Sequence, residues 1–241
     1  NGKNNLERMN MPMDQDLRAC CHIKKNCISL VPIFNHLKQH EMDEIMEKVT
    51  PRKLQKGEFL YQAGDESDSL SIVHQGKLKI YRLSGTGKEQ ILRILSSGDF
   101  TGELALFKKS FHDSYAEALE DTRVCQIKRS DLQEILLKYP SISLEILKEL
   151  SERLEQSEMQ ATRIATDKVE RRIALYLTEL VERQNQMEIF LPLSRKDLSS
   201  YLGTTPETLS RKLAEMEEEG ILSQKGARKI KILNLGKLQS L

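Results

Sequence analysis

Two groups of residues in this 241-residue chain have the types and spacing to do chemistry. The first is the cysteines. Cys20, Cys21 and Cys27 crowd together near the N-terminus, and Cys125 stands alone much further along. Thiolates bind soft metals, hold iron–sulfur clusters and exchange with disulfides. In a reducing cytosol such clustering points to metal, cluster or redox chemistry more than to a structural disulfide framework. His22 beside Cys21 would also suit a zinc site, although a solvated histidine is the commoner outcome. The second group is Thr205, Glu207, Ser210 and Arg211. Glu207 and Arg211 are four apart and share one helix face. An arginine there can grip O6 and N7 of guanine for ~1–3 kcal/mol of base discrimination, and a glutamate can accept from the cytosine amino group. Alone, the pair would more often be a surface ion pair, so its setting decides.

That setting is a helix, a tight turn and a second helix. Ser194 caps a helix running through Asp197, Leu198 and Tyr201. Gly203-Thr204-Thr205 makes the turn. Pro206 opens the second helix, where its missing N–H costs little. Leu209, Leu213 and Met216 point inward, and Gly220 closes the helix. Ile221–Gln224 and Ile230–Leu233 flank Gly226-Ala227-Arg228 as a hairpin wing. Such a unit lays its second helix in the major groove. Arg195, Lys196, Lys212, Lys225 and Arg228 are candidate phosphate contacts, which position without specifying. With the amphipathic Lys168–Gln186 and the short strand Glu188–Leu191, this region spans 166–241.

Residues 139–165 read as one long helix without Gly or Pro. Leu147, Leu150, Leu154, Ser157, Ala161 and Ile164 recur at the spacing of a coiled-coil seam, and Glu149, Glu152, Arg153, Glu155 and Gln156 make the other face polar. We therefore expect a dimerisation helix with those six residues as its interface. Residues 31–138 look mainly β. Glycines punctuate short strand-like runs, and Lys77–Leu83 alternates polar and apolar before turning at Ser84–Gly87 into Gln90–Leu95. The expectation is a closed roll, with short helices at Pro32–Leu37 and Glu41–Val49 over one end. Residues 1–30 are polar and aperiodic and form a cysteine-bearing segment.

Hydrophobic residues make up 39% and charged residues 30%, a profile that argues against wholesale disorder. The formal charge of +1 decides nothing about DNA, because a basic face is what matters. No apolar run reaches the ~18 residues of a membrane span. No apolar signal-peptide core is evident, so a cytoplasmic location is expected. P-loop, nucleophile-elbow and zinc-protease motifs are missing, so no enzyme is expected.

Nearly the whole chain resembles the CRP/FNR superfamily of transcription regulators. The residues that carry the resemblance are Gly57, Gly64, Gly76 and the run Gly98–Leu106, the long helix after Pro140, and above all Leu193–Gly203 followed by Pro206–Arg211. The resemblance implies an α+β chain with an N-terminal cyclic-nucleotide-binding-type β-roll, a long dimerisation helix and a C-terminal winged helix-turn-helix. Glu207, Ser210 and Arg211 match the FNR-like Glu-x-x-Ser-Arg pattern. Pro206 stands where the cyclic-AMP branch has arginine. This implies a homodimer on a double-stranded DNA palindrome with TTGA-type half-sites, and RNA polymerase as a further partner. Cyclic-nucleotide binders follow Gly-Glu-Leu with an Arg-Ser/Thr pair. Here Gly102-Glu103-Leu104 is kept but Asp113 precedes Ser114, and a carboxylate would repel the cyclic phosphate. A cyclic nucleotide is therefore not expected, nor is a regulatory subunit that only binds one.

The same resemblance implies a [4Fe–4S] cluster on three N-terminal cysteines and one of the β-roll. Cys21, Cys27 and Cys125 match that layout, whereas Cys20 departs from it by adjoining Cys21. FNR-like proteins of Gram-positive bacteria imply instead a thiol–disulfide switch, pairing Cys125 with an N-terminal cysteine and needing no cofactor. A redox-silent or small-molecule-responsive regulator, with Cys125 as a plain core thiol, is the third reading.

Overall fold

The computed structural model describes residues 31–103 and 110–241. Expectations for residues 1–30, including Cys20, Cys21 and Cys27, lie outside them. The roll consists of ten short strands: β1 (Val49–Leu54), β2 (Phe59–Tyr61), β3 (Glu66–Ser67), β4 (Ser69–Gln75), β5 (Leu78–Leu83), β6 (Glu89–Leu95), β7 (Phe100–Thr101), β8 (Ser110–Phe111), β9 (Tyr115–Ala118) and β10 (Thr122–Lys128). One sheet has the order β1-β10-β4-β7 and the other β2-β9-β5-β6, with β3 and β8 paired separately. Leu60, Val73, Leu78, Ile80, Leu95, Ala116 and Val124 fill the space between the sheets. The β5–β6 hairpin closes through Ser84 and Lys88, with the Ser84 amide donating to the Lys88 carbonyl at 2.9 Å.

Alternation along β10 sends Val124 into the roll and Cys125 and Ile127 to the opposite face. That outer face is apolar and needs a cover. The 3-10 turn Pro32–Phe34, α1 (Gln39–Glu47), α2 (Arg129–Lys138) and the start of α3 (Ser141–Thr166) supply it. Phe34, Ile45, Leu132, Ile135, Ile142 and Ile146 pack there against Ile72, Phe100 and Cys125. Each fully buried side chain of this size contributes about 1.5–3 kcal/mol of transfer free energy. The covering helices correct the sequence reading in two places: the region read as mainly β to 138 ends in a helix, and the expected Glu41–Val49 helix stops at Glu47 because Val49 joins β1.

Beyond α3, α4 (Val169–Gln184), β11 (Glu188–Phe190), α5 (Arg195–Tyr201), α6 (Pro206–Glu218), β12 (Leu222–Gln224), β13 (Lys229–Ile232) and α7 (Leu235–Gln239) follow. The wing is three-stranded, in the order β11-β13-β12. Leu177, Leu198, Leu209, Leu213, Met216, Ile221 and Ile230 form the core between this wing and the helices α4, α5 and α6.

The two halves meet where α5 docks on β6, the edge strand of its sheet. An edge strand presents unpaired N–H and C=O groups. Ser200 meets two of them: its Oγ accepts from the Ile91 amide at 3.0 Å and donates to the Glu89 carbonyl at 2.8 Å. The Gln90 side chain returns a bond, its Nε2 donating to the Ser200 carbonyl at 2.9 Å.

Candidate nucleic-acid interface and thiol site

The Thr205 side chain accepts from the Thr208 amide at 3.3 Å and so caps α6, with Pro206 in its first turn. The preceding turn depends on Gly203, whose φ of 65° suits a residue without Cβ. An added Cβ would meet Arg172 at 3.0 Å and Ile164 at 3.2 Å. Thr205, Glu207, Ser210 and Arg211 are all exposed on one side of α6, opposite buried Leu209, Leu213 and Met216. Arg211 is 69% exposed and 3.8 Å from Glu215, not paired with Glu207. Hydrogen bonding from its own backbone amide and from Thr205 holds the Glu207 carboxyl below the usual range, so it stays an acceptor at neutral pH.

The five phosphate candidates divide. Lys225 and Arg228 are exposed on the wing, and Lys196 is exposed on α5 with its ammonium 3.4 Å from Glu89 of the roll. Arg195 is instead turned under the wing, donating to the Ala227 carbonyl at 3.2 Å and to Gln224 at 3.1 Å. Lys212 is held by Glu215 at 2.5 Å, with Glu170 at 3.9 Å. Those two cations are already committed within the chain.

The stripe on α3 divides too. Leu147, Leu154, Ser157 and Ala161 are exposed. Leu150 packs against the core beneath the roll, and Ile164 lies against Gly203. Leu144, outside the expected stripe, is 68% exposed and continues the open face. The face read as polar is not solvated throughout. Arg153 lies over the Phe100 ring, 4.0 Å from its centroid, and bonds Glu149 at 2.9 Å.

Between α3 and the roll runs a cleft of about 1140 Å³, lined by Tyr61, Arg93, Glu103, His112 and Arg153 among others. Glu103 is engaged by the chain's own cations, Arg93 at 3.3 Å and Arg153 at 3.7 Å. At the mouth, Asp113 pairs with Arg82. His112 stacks on Tyr61 with centroids 3.5 Å apart. Cys125 is fully buried and disulfide-bonded. Among the described residues no group of three His, Cys, Asp or Glu side chains is placed to hold a metal ion. A cubane cluster needs four ligands. The described residues offer one cysteine for it, and a thiol tied in a disulfide has no thiolate to give iron.

The family description "Cyclic nucleotide-binding domain" matches residues 51–139, and "Crp-like helix-turn-helix domain" matches residues 171–241. The chain is 36% identical over 209 residues to the Probable transcriptional regulator flp of Lacticaseibacillus casei, covering 87% of this chain and 94% of that one. It is 33% identical to the Fumarate and nitrate reduction regulatory protein of Vibrio cholerae, covering 92% and 88% of the two chains. The chain belongs to the CRP/FNR family of transcription regulators. Among solved structures, FixK2 from Bradyrhizobium japonicum superposes with a TM-score of 0.70 at 29% identity, over 80% of this chain and 96% of that one. This CRP/FNR regulator thus combines a cyclic-nucleotide-binding-type roll, a long helix and a DNA-binding helix-turn-helix. Regulators of this family bind DNA and act as dimers. No described helix is long and apolar enough to cross a membrane.

Sequence reasoning missed the contacts that join the halves. Lys79 has a side chain only 5% exposed, yet it sits 3.2 Å from Glu89, 3.1 Å from Glu117 and 3.5 Å from Asp197. Burial alone would lower its pKa. The hydrogen bond to Glu117 and the charges of Glu117, Asp197 and Glu89 outweigh that and hold the ammonium above its ordinary value. Alternation along Lys77–Leu83 put Lys79 on the outward face; the docked α5 covers that face.

Proposed function

We propose that this CRP/FNR regulator is thiol-responsive and binds, as a dimer, an inverted repeat with TTGA-type half-sites. Thr205, Glu207, Ser210 and Arg211 read base edges, and Lys196, Lys225 and Arg228 hold phosphates. Leu147, Leu154, Ser157 and Ala161 form the dimer seam. RNA polymerase is the partner on the DNA, and the cytosol is the compartment.

The observation that carries the sensing is the disulfide-bonded Cys125. It belongs to the same buried cluster as Val31, and Cys27 precedes Val31 by four positions. The switch pairs Cys125 with one of Cys20, Cys21 and Cys27. On closing, the two protein thiols give up two electrons and two protons to a small-molecule disulfide, which departs as two thiols; the reverse exchange reopens the bond. The cluster around Cys125 includes Ile142 and Ile146 of α3, so a change of packing at Cys125 is felt by that helix. A second reading, a [4Fe–4S] cluster on Cys20, Cys21, Cys27 and Cys125, draws support from the relatives named fumarate and nitrate reduction regulatory proteins.

One preparation tests both. Protein purified without oxygen is assayed for iron and acid-labile sulfide, and its free thiols are counted before and after a dithiol reductant. Iron-free protein that gains two thiols and changes its affinity for a TTGA palindrome supports the switch. Stoichiometric iron and sulfide replace it with the cluster. Unchanged DNA binding in both states leaves a redox-silent regulator.

A further inference from the structure

We infer that Lys79 is a positioning residue for DNA reading, setting the separation at which the two recognition helices of a dimer meet their half-sites. The inference rests on the DNA reading proposed above. Lys79 lies on the roll with its side chain only 5% exposed beneath α5, so it touches no base or phosphate in that reading.

The geometry leaves it one task. Its ammonium joins two carboxylates of the roll, Glu89 on β6 and Glu117 on β9, to Asp197 of α5. The Asp197 carboxylate is tied to the start of its helix, because the capping Ser194 hydroxyl donates to its Oδ2 at 2.5 Å while the Asp197 amide donates to Ser194 Oγ at 3.1 Å. Three residues on, Ser200 fastens the same helix to the edge of β6. The exposed face of α6 is left open by this docking, so DNA can approach while α5 stays on the roll.

Removing the ammonium does more than delete an attraction. Asp197 would then face Glu89 and Glu117 with like charge in a place poor in water, where charge interactions are strong, and among the described residues the only cation left at the cluster would be the solvent-exposed Lys196, 3.4 Å from Glu89. The helix-turn-helix would leave the roll and swing about the end of α3. Each half-site could still be read, but the two units would no longer be held at one spacing. A dimer bound to two half-sites depends on that spacing, since one base pair moves them by about 3.4 Å.

The test uses the full-length protein and duplexes carrying the palindrome at its best separation, the same palindrome with one or two base pairs added or removed, and a single half-site. Wild-type protein should show a sharp optimum. Lys79→Met should bind the optimal duplex on the order of tenfold more weakly and show a flattened spacing profile. Its affinity for the single half-site and its salt dependence should be unchanged. Asp197→Asn should act in the same direction from the other side of the contact, and the double variant should be no worse than the weaker-binding single one. A folded Lys79→Met protein with the wild-type spacing profile overturns the inference, as does equal weakening on the single half-site. If Lys79→Met fails to fold, Asp197→Asn decides by the same two criteria. A wild-type protein without any preference for the palindrome overturns the DNA reading, and this inference with it.

Discussion

Glu103 on the roll and Arg153 on the long helix face each other across 3.7 Å, with side chains only 14% and 11% exposed. Among the described residues, Glu103 Oε2 and Arg153 Nη1 have no hydrogen-bond partner, so their attraction is electrostatic. Glu103→Gln should leave a buried guanidinium short of countercharge, with Glu149 its remaining partner. The expected cost is roughly 2–4 kcal/mol, read as a lower urea midpoint. Glu103→Gln combined with Arg153→Met should recover part of that loss. A midpoint unmoved by Glu103→Gln would show the pair to be energetically idle.

The divided stripe on α3 should separate dimerisation from folding. Leu154 is 61% exposed and Leu150 is packed on its own core. Leu154→Glu should yield a folded monomer by sedimentation, with weaker binding to a palindrome. Leu150→Glu should instead lower the melting temperature, because a charge would be forced into an apolar site. A dimeric Leu154→Glu protein would move the seam elsewhere.

On the DNA, exposed cations should differ by role. Arg211→Ala should lose about 1–3 kcal/mol of discrimination at one base pair and relax the sequence preference there. Lys225→Ala should weaken binding evenly across sequences and reduce the slope of log affinity against log salt by about 1. Lys212→Ala should leave that slope alone, since its ammonium is held by Glu215. Binding isotherms at several salt concentrations separate the three cases.

Stability should fall as acid is added through the histidine range. Burial holds His112 below its ordinary pKa of 6.5, against the pull of Asp65, Asp113, Glu103 and Asp68. His74 is lowered by burial and by Arg123. Below 6.5 the unfolded chain therefore takes up protons before the folded one, and the linkage relation makes stability rise with pH across that window. His112→Gln should flatten the pH dependence of the urea midpoint between about pH 7 and 5. An unchanged slope would mean that His112 titrates alike in both states.

The helix-turn-helix was the most legible part of the chain, because its signals are local. Ser194, Gly203, Thr205 and Pro206 each act within one turn of backbone, and the structure uses each where its chemistry demands. The β5–β6 hairpin was equally local. What the sequence hid depends on contacts between distant residues. Lys79 looked solvent-facing until α5 covered it, and Arg153 looked like part of a polar face until the roll approached. Arg195 resembled a free cation but had Gln224 and the Ala227 carbonyl waiting beneath the wing. The helix α2 went unread because only Leu132 and Ile135 of its ten residues are buried, too few for a periodic pattern.

The long helix α3 has one more consequence, and it is mechanical. Its 26 residues make a rod of about 39 Å between the cluster around Cys125 and its C-cap at Asp167. A tilt of only about 5° at one end moves the other by roughly 3.4 Å, the rise of a single base pair. If the proposed thiol switch tilts this rod, a rearrangement as small as the loss of one sulfur–sulfur bond would be magnified by simple leverage to the scale on which the double helix is ruled.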